Sequence, residues 1–561
     1  MKNPKAPRLK SNGNTRESLK YPDISMYRML ADAAAKFTSN TAYDFMGTTV
    51  SFRRFISKID RAARAMAAFD VKQGDVVTII SANIPEALIV IYATNKLGAI
   101  ANIVHPLSSE ADIKHALALT NSKLLFVMDV AYATAKKALG ETSVHDVVIL
   151  SARDSLFGLM RIGYDVTQGR KVGWIPPADR QFTYREFLTQ GRRIHRDLEA
   201  KTGKKDPAAI LYSGGTTGTP KGILLNNGAF NAYVPQMKVI APDILAPGTS
   251  ILGVLPIFHG FGLGVGIHGT MCNGVTNILL PKFDPKAFPG VLAHKKPNII
   301  LGVPTLFEAF LSNKKIAKLD LSFITMMVSG GDALPNSLKH KCDAFFHEHG
   351  VKTEILQGYG LTEYLAGICF CPLDQVRLGS IGIPVSDAFV KIVEPETDIE
   401  KPIGEVGEMV VRGPSTMMCY LNEEEETNRA LRTHSDGHVW LHSGDLGHVD
   451  EDGYFFFDAR LKRLIISSGY NVYPGHIEEV IGQLDEVLLA TVVGMEDKYR
   501  GQVAKAFVVL RDGHKPTKAL KRKIMDHCRA NLPKYSLPWV LEFRDALPKT
   551  KLNKVAYREL K

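Results

Sequence analysis

Two short apolar runs, residues 208–212 and 223–225, are joined by Ser213-Gly214-Gly215-Thr216-Thr217-Gly218-Thr219-Pro220-Lys221-Gly222. Four glycines, four hydroxyl side chains and one lysine make this a turn, not an extension of either run. Glycines let backbone N–H groups point into one concavity, the hydroxyls add donors, and Lys221 adds a point charge. Such a loop suits an oligophosphate. It is not the P-loop GxxxxGK[ST]. Aligned on Lys221, Gly215 takes the first place, but Pro220 replaces the second glycine and Gly222 replaces the metal-binding Ser or Thr. A glycine-rich hairpin turn without a ligand has the same composition, so other stretches must decide.

Upstream, Phe52, Phe55, Ile56, Ile59, Ala63 and Met66 recur at the spacing of an amphipathic helix. Residues 76–80, 100–104 and 124–128 read as buried strands and 110–119 as a helix. Asn83 is placed to cap the helix that has Pro85 in its first turn and Gly98 at its end. Alternating strands and helices predict an α/β fold with parallel sheets. At 561 residues the chain needs roughly two to four folding units. Strands near 488–493 and 504–510 and a helix near 518–529 suit a small α+β domain at the end.

Residues 151–200 interrupt this rhythm with Gly158, Gly163, Gly169, Pro176 and Pro177, and Arg161, Arg170, Lys171, Arg180, Arg192 and Arg193 make them basic. They read as a surface insertion, or as a patch approaching a membrane. The net charge is +11, and from Arg511 to Lys561 fourteen Lys or Arg face five Asp or Glu. A polyanionic cofactor satisfies that balance as well as nucleic acid does. The six cysteines, scattered without a CxxC pair, fit a reducing cytosol. No apolar stretch follows the basic start and no 18-residue apolar run exists, so neither a secretory signal nor a membrane span is expected. A cytoplasmic protein is expected, with peripheral membrane association left open.

Further motifs follow. Phe258-His259-Gly260-Phe261-Gly262 leads into Gly264, Gly266 and Gly269, which match GxGxxG with Asp284 twenty residues on. The preceding strand ends too early for a dinucleotide turn. These glycines are expected instead to thin a helix wall so that something slender fits beside it. Ser329-Gly330-Gly331-Asp332 and Leu356-Gln357-Gly358-Tyr359-Gly360-Leu361-Thr362-Glu363 follow predicted strands. The second offers an aromatic face, a hydroxyl for phosphate and one carboxylate for a divalent cation, enough for magnesium beside phosphate oxygens. A helix start capped by Thr362 is the alternative. Then come Ser443-Gly444-Asp445, Asp458-Ala459-Arg460-Leu461-Lys462-Arg463, Ser467-Ser468-Gly469-Tyr470-Asn471-Val472-Tyr473-Pro474 and Pro548-Lys549-Thr550-Lys551-Leu552-Asn553-Lys554.

Taken together, these stretches resemble the AMP- and pyrophosphate-binding motifs of the acyl-adenylate-forming superfamily, over nearly the whole chain and most closely those of fatty acyl-CoA synthetases. The resemblance implies a large N-terminal AMP-binding domain at 1–459, a hinge at 460–462 and a small mobile C-terminal lid at 463–561. It implies ATP, Mg²⁺ and CoA. Ser213, Gly214, Gly215, Thr216, Thr217, Gly218 and Lys221 would hold phosphates. Gly330, Gly331, Gln357, Gly358, Tyr359 and Gly360 would hold the nucleotide. Asp445 and Arg460 would reach the ribose, with Lys462 at the pivot and Gly469 and Tyr470 on the pantetheine side. Thr362, Glu363 (the metal ligand), His259 beside the acyl group and Lys554 would be the catalytic set. Ser443 stands where threonine is usual and Asn553 where glycine is usual; asparagine tolerates the left-handed turn.

The implied reaction is attack of a carboxylate on the α-phosphate of ATP, then transfer of the acyl group to CoA. Gly214 and the 467–474 loop favour a fatty acid of medium or long chain. An aryl acid, or a carrier protein as acceptor, is the runner-up. A nucleotide-binding protein without turnover is the reading from another class. The expected partners are a small carboxylic acid and CoA, not nucleic acid.

Overall fold

The computed structural model describes residues 18–169, 172, 175–213, 220–548 and 555–560. Among them the strands form three sheets, of fourteen, eight and five strands. The eight-stranded sheet carries the strands expected at 76–80, 100–104 and 124–128, all mutually parallel. Strand Pro207–Tyr212 joins it in parallel and turns back antiparallel as Gly222–Asn226, so the glycine-rich loop is a strand-to-strand connection at one end of this sheet.

The largest sheet has a parallel centre, from Thr41–Phe45 through Thr276–Leu279, Ser250–Gly253, Ile299–Gly302 and Met326–Ser329 to Ile355–Gly360. Beyond that it continues antiparallel through Gly367–Phe370 and Ser380–Pro384. Parallel strands feed loops to one edge, and the segments at 330–331 and 358–363 leave from neighbouring strands for that reason.

One helix lies against the eight-stranded sheet, on strands 76–80 and 100–104. Pro85–Lys96 is buried along nearly its whole length, as an apolar helix must be when it is covered all round. Asn83 does not cap it. Ile84 stands at the cap without a side-chain bond, and the helix opens on Pro85, which has no N–H to satisfy. The buried Asn83 carboxamide instead donates to the carbonyls of Gly253 and Leu255 (3.0 and 2.7 Å) and accepts from the Ile257 N–H (3.0 Å). It ties the two sheets together. Further along the helix, Tyr92 bonds His268 (3.1 Å), whose burial drives its pKa down to about 3, so this histidine is a neutral structural group.

The glycines after His259 fall in a π-helix, Phe261–Gly269, and they do not thin a cavity wall as expected. A Cβ on Gly260 would sit 1.4 Å from the Leu365 carbonyl, one on Gly262 2.0 Å from the Pro256 carbonyl, and one on Gly269 2.4 Å from the Met237 sulfur. One on Gly264 would meet the Leu365 side chain at 2.9 Å. What fits beside these glycines is the protein itself. Leu365, at φ 57°, presses into the π-helix and pins the 362–365 turn against it.

The third sheet holds strands from Ile465 onward, with helices Pro474–Gly482 and Lys518–Asn531 and its own apolar cluster around Ile477, Ile481, Ala506, Val508 and Ile524. It is the small α+β unit expected at the C-terminal end.

Candidate active site

Ser213 and Lys221 close the base of the glycine-rich loop. The Ser213 N–H donates to the Lys221 carbonyl (3.2 Å) and the Lys221 N–H to the Ser213 hydroxyl (3.3 Å). Residues 214–218, where five phosphate-binding positions were expected, lie outside the described residues. The Lys221 ammonium pairs with Glu426 and stands 4.9 Å from the centre of the Tyr420 ring. Its hydrogen bond holds the Glu426 carboxyl below the usual range. Tyr420 in turn donates to Glu363 Oε1 (2.8 Å). Lys221, at the base of the glycine-rich loop, and the proposed metal carboxylate are therefore joined through one phenol. Among the described residues only Oε1 of Glu363 is engaged, which leaves a carboxylate oxygen for a cation and suits magnesium.

Thr362 and Glu363 occupy a single 3₁₀ turn, Thr362–Tyr364. Thr362 is not a helix cap; Leu361 precedes the turn without a side-chain bond. The preceding strand, Ile355–Gly360, carries Gln357, Gly358, Tyr359 and Gly360. Its Tyr359 hydroxyl donates to Asp445 Oδ2 (2.8 Å), and Arg460 Nε lies 3.4 Å from Asp445 Oδ1. Burial, then the facing Asp445 charge, raise the Tyr359 hydroxyl well above its ordinary pKa, and Asp445 raises that of Arg460. Three residues assigned to the nucleotide from separate motifs meet at one corner.

Asp445 reaches that corner because its strand bulges. Glu408 pairs with Leu446 and Val410 with His442, so residues 443–445 face Met409 alone. Gly444 takes φ 66°. Such a bulge redirects one side chain. Ser443 donates to the Met409 carbonyl (2.5 Å) and accepts the Asp445 N–H (3.0 Å), so the hydroxyl of this Thr-to-Ser departure works as a brace. Behind it, Glu408 accepts from the Gly444 N–H (3.0 Å) and bonds His442 (2.9 Å).

Next to the corner opens an apolar cavity with about 90 Å³ of free space between its walls. His259, Gly330, Gly331 and residues 358–361 line it on the nucleotide side, and Phe261 and Val265 of the π-helix, Leu301, Met326 and Phe370 carry it inward. His259 takes the Phe261 N–H on Nδ1 (3.2 Å).

Two assigned residues lie elsewhere. Ser468 and Gly469 both have positive φ (51° and 80°), the two-residue turn that suits a tight hairpin between Ile465–Ser467 and Tyr470–Val472. Tyr470 is 56% exposed and stacks on Tyr535 (4.7 Å), so this loop is outside the cavity wall in this conformation. Lys554 is outside the described residues, but Tyr557 packs its ring 3.7 Å from the Arg463 guanidinium and feels the charges of Asp332 and Arg460. The chain end is thus held beside the nucleotide corner. Lys462 lies close enough to Glu426 to help lower its pKa. Sequence reasoning missed Tyr420 and Glu426. The acidic run 423–426 was visible, but nothing local ties it to a lysine two hundred residues away.

The sequence profile of AMP-binding enzymes matches residues 30–421, and that of the AMP-binding enzyme C-terminal domain matches 476–554. A long-chain-fatty-acid–CoA ligase of Bacillus subtilis (strain 168) is 31% identical over 550 residues, 97% of this chain and 95% of that protein. One from Haemophilus influenzae is 31% identical over 97% of this chain and 96% of its own. Among solved structures, the anthranilate CoA ligase AuaEII in complex with anthranoyl-AMP superposes with a TM-score of 0.82 at 23% identity, covering 97% of both chains. ATP-bound MatB from Rhodopseudomonas palustris gives 0.80 at 24%, covering 96% of this chain and 98% of that one. With both of its domains matched and relatives aligned along nearly its full length, this chain belongs to the AMP-binding enzyme family.

Proposed function

We propose that the protein is an AMP- and pyrophosphate-forming acyl-CoA synthetase that activates a carboxylic acid, a fatty acid of medium or long chain. The observation that carries this is the apolar cavity opening onto the Tyr359–Asp445–Arg460 corner. The long-chain specificity of the relatives supports the chain length. Asp445 and Arg460 take the ribose, and Ser213, Lys221 and the 214–218 loop take the phosphates. His259 and Gly330–Gly331 border the acyl carboxylate. Mg²⁺ held by Glu363 would neutralise phosphate charge.

The carboxylate oxygen attacks the α-phosphorus, and the bond to pyrophosphate breaks with its electron pair leaving on pyrophosphate. The CoA thiol then loses its proton and attacks the acyl carbonyl, releasing AMP. Two anions must approach in the first step, so preorganised cations matter most there. Lys554 supplies the charge between carboxylate and α-phosphate. The large domain runs to 459, the hinge is 460–462, and rotation of 463–561 exchanges Lys554 for the Gly469–Tyr470 hairpin. The Tyr557 contacts and the outward Tyr470 support an adenylating arrangement of this conformation.

Pyrophosphate release with ATP and Mg²⁺, across acids from acetate to palmitate, cinnamate and benzoate, with and without CoA, tests this reading. CoA-dependent turnover peaking at a long alkyl chain is expected; release indifferent to CoA would reassign the acceptor. A peripheral membrane contact has its own support in Phe157, Met160, Ile162 and Val166, exposed around Arg161. Among the described residues no helix is long and apolar enough to cross a membrane. Co-sedimentation with anionic but not neutral vesicles is the expected result.

A further inference from the structure

Three buried titratable side chains, Glu408, His442 and His434, stand behind the strand that carries Asp445 and take no part in the chemistry proposed above. Glu408 is the hub. Its Oε1 accepts the Gly444 N–H (3.0 Å), and its Oε2 accepts the Glu396 N–H (3.1 Å) and bonds His442 Nδ1 (2.9 Å). His442 Nε2 in turn meets His434 Nε2 (3.0 Å), with one proton between them, since two N–H groups would collide and two lone pairs repel. His434 stacks on Trp440. Burial opposes the Glu408 charge, yet the His442 bond and the two backbone donors hold its carboxyl below the usual range.

What Glu408 holds is the bend that aims Asp445. Gly444 and Glu396 both have positive φ (66° and 63°), a conformation that needs support, most of all at the non-glycine residue. The N–H groups of both end on this one carboxylate. From the other side, the Ser443 hydroxyl takes the Asp445 N–H (3.0 Å). Between these two supports the Asp445 carboxylate meets the Tyr359 hydroxyl (2.8 Å) and Arg460 (3.4 Å). Three donors thus converge on the two oxygens of Glu408, and an ionised carboxylate accepts at both. A glutamine of the same shape would turn its NH₂ group toward at least one of those donors.

We propose that Glu408, backed by His442, is a positioning residue for nucleotide recognition. Through the Gly444 N–H it sets where Asp445 meets the ribose, and so how strongly ATP is preferred over an analogue that lacks a ribose hydroxyl. The inference rests on the ribose reading of Asp445 above. A side chain placed by the bonds of its neighbours loses selectivity when those bonds go, even with every group that touches the ligand intact. Removing the Glu408 charge therefore weakens the contacts of Asp445 and leaves the phosphate contacts of Ser213 and Lys221 alone. A residue that only stabilised the fold would weaken ATP and its deoxy analogues alike.

Calorimetric titration with ATP, 2′-deoxy-ATP and 3′-deoxy-ATP, each with Mg²⁺, tests this without any acid substrate. The wild type should prefer ATP over at least one deoxy analogue by about ten- to a hundredfold, the worth of a hydrogen bond to a charged group. Asp445→Ala should reduce that preference below about threefold. Glu408→Gln should do the same, with its affinity for that deoxy analogue kept within about threefold of the wild type. A preference that falls in Asp445→Ala but survives in Glu408→Gln overturns the inference and spares the ribose reading. A preference absent from the wild type, or surviving in Asp445→Ala, sinks both. Equal losses for ATP and the deoxy analogue in Glu408→Gln would leave Glu408 a role in the fold alone and overturn the inference as well. Should Glu408→Gln fail to fold, His442→Phe decides: the same ratio should fall about threefold, and an unmoved ratio overturns the inference.

Discussion

The nucleotide corner and the contact between the two domains use charge in opposite ways. Asp445 is 1% exposed and held by Tyr359, Arg460 and the bulge around Ser443. Across the domain contact, Lys341 reaches Asp485 (3.3 Å), with side chains 45% and 91% exposed, and Asn336 reaches Glu479 (2.6 Å) at the surface. Buried charges with fixed partners are preorganised and costly to disturb. Exposed pairs contribute little and separate readily. One region holds its geometry firmly and the other weakly, the difference that the proposed domain rotation would require.

The largest effect should come from Lys554, proposed above to stand between the carboxylate and the α-phosphate. Lys554→Ala should lower adenylation about a hundred- to thousandfold with folding and ATP binding retained, read by acid-dependent ATP–pyrophosphate exchange. Adenylation at the wild-type rate would remove Lys554 from the mechanism. Within the corner, Asp445→Ala strips the partner from Tyr359 and Arg460, and adenylation should fall about ten- to a hundredfold, mainly through the KM for ATP.

A glycine pair probes how rigidly the 362–365 turn is held. Gly260→Ala drives a Cβ into the Leu365 carbonyl and should cost about 1–3 kcal/mol in thermal or denaturant unfolding. Gly266→Ala, whose Cβ meets only the Phe261 carbonyl at 3.4 Å, should be near neutral. Equal losses would mean that the Leu365 anchor is not what these glycines accommodate.

At the domain contact effects should be small. Lys341→Ala should change either half-reaction less than about twofold. A pH dependence should arise at His476, on the small domain, which bonds the buried Asp458 of the large one (3.2 Å). His448 of the large domain faces the same carboxylate (2.8 Å). The Asp458 bond raises the His476 pKa, and the two histidines lower that of Asp458 despite its burial. The contact is therefore strongest above the ordinary Asp range and below the ordinary His value of about 6.5, and it weakens as pH rises through the elevated His476 pKa. Raising pH should favour release of this arrangement and speed thioester formation relative to adenylation by a few-fold. His476→Ala should flatten that ratio; an unchanged profile would rule out the latch.

Much of this was legible locally. The helix spacing of Phe52 to Met66, the strands at 76–80, 100–104 and 124–128, and the glycine loop between two strands depend on periodicity and turn chemistry that neighbours in sequence determine. The misreadings share a cause. Asn83 looked like a cap and serves as a bridge between sheets, and glycines 260–269 looked like a cavity wall and serve as seats for Leu365, Pro256 and Met237. In each the partner lies far along the chain, and local pattern carries no information about it.

The sequence by itself determined the α/β class, the small α+β unit at the C-terminal end and the family, because these rest on residue type at fixed spacing. Tertiary structure alone decided that Tyr420 links Lys221 to Glu363 and that a bulge aims Asp445 at Tyr359 and Arg460. Those facts depend on distances between residues tens to hundreds of positions apart. Only the packing of the two sheets and the loops at their edges sets them.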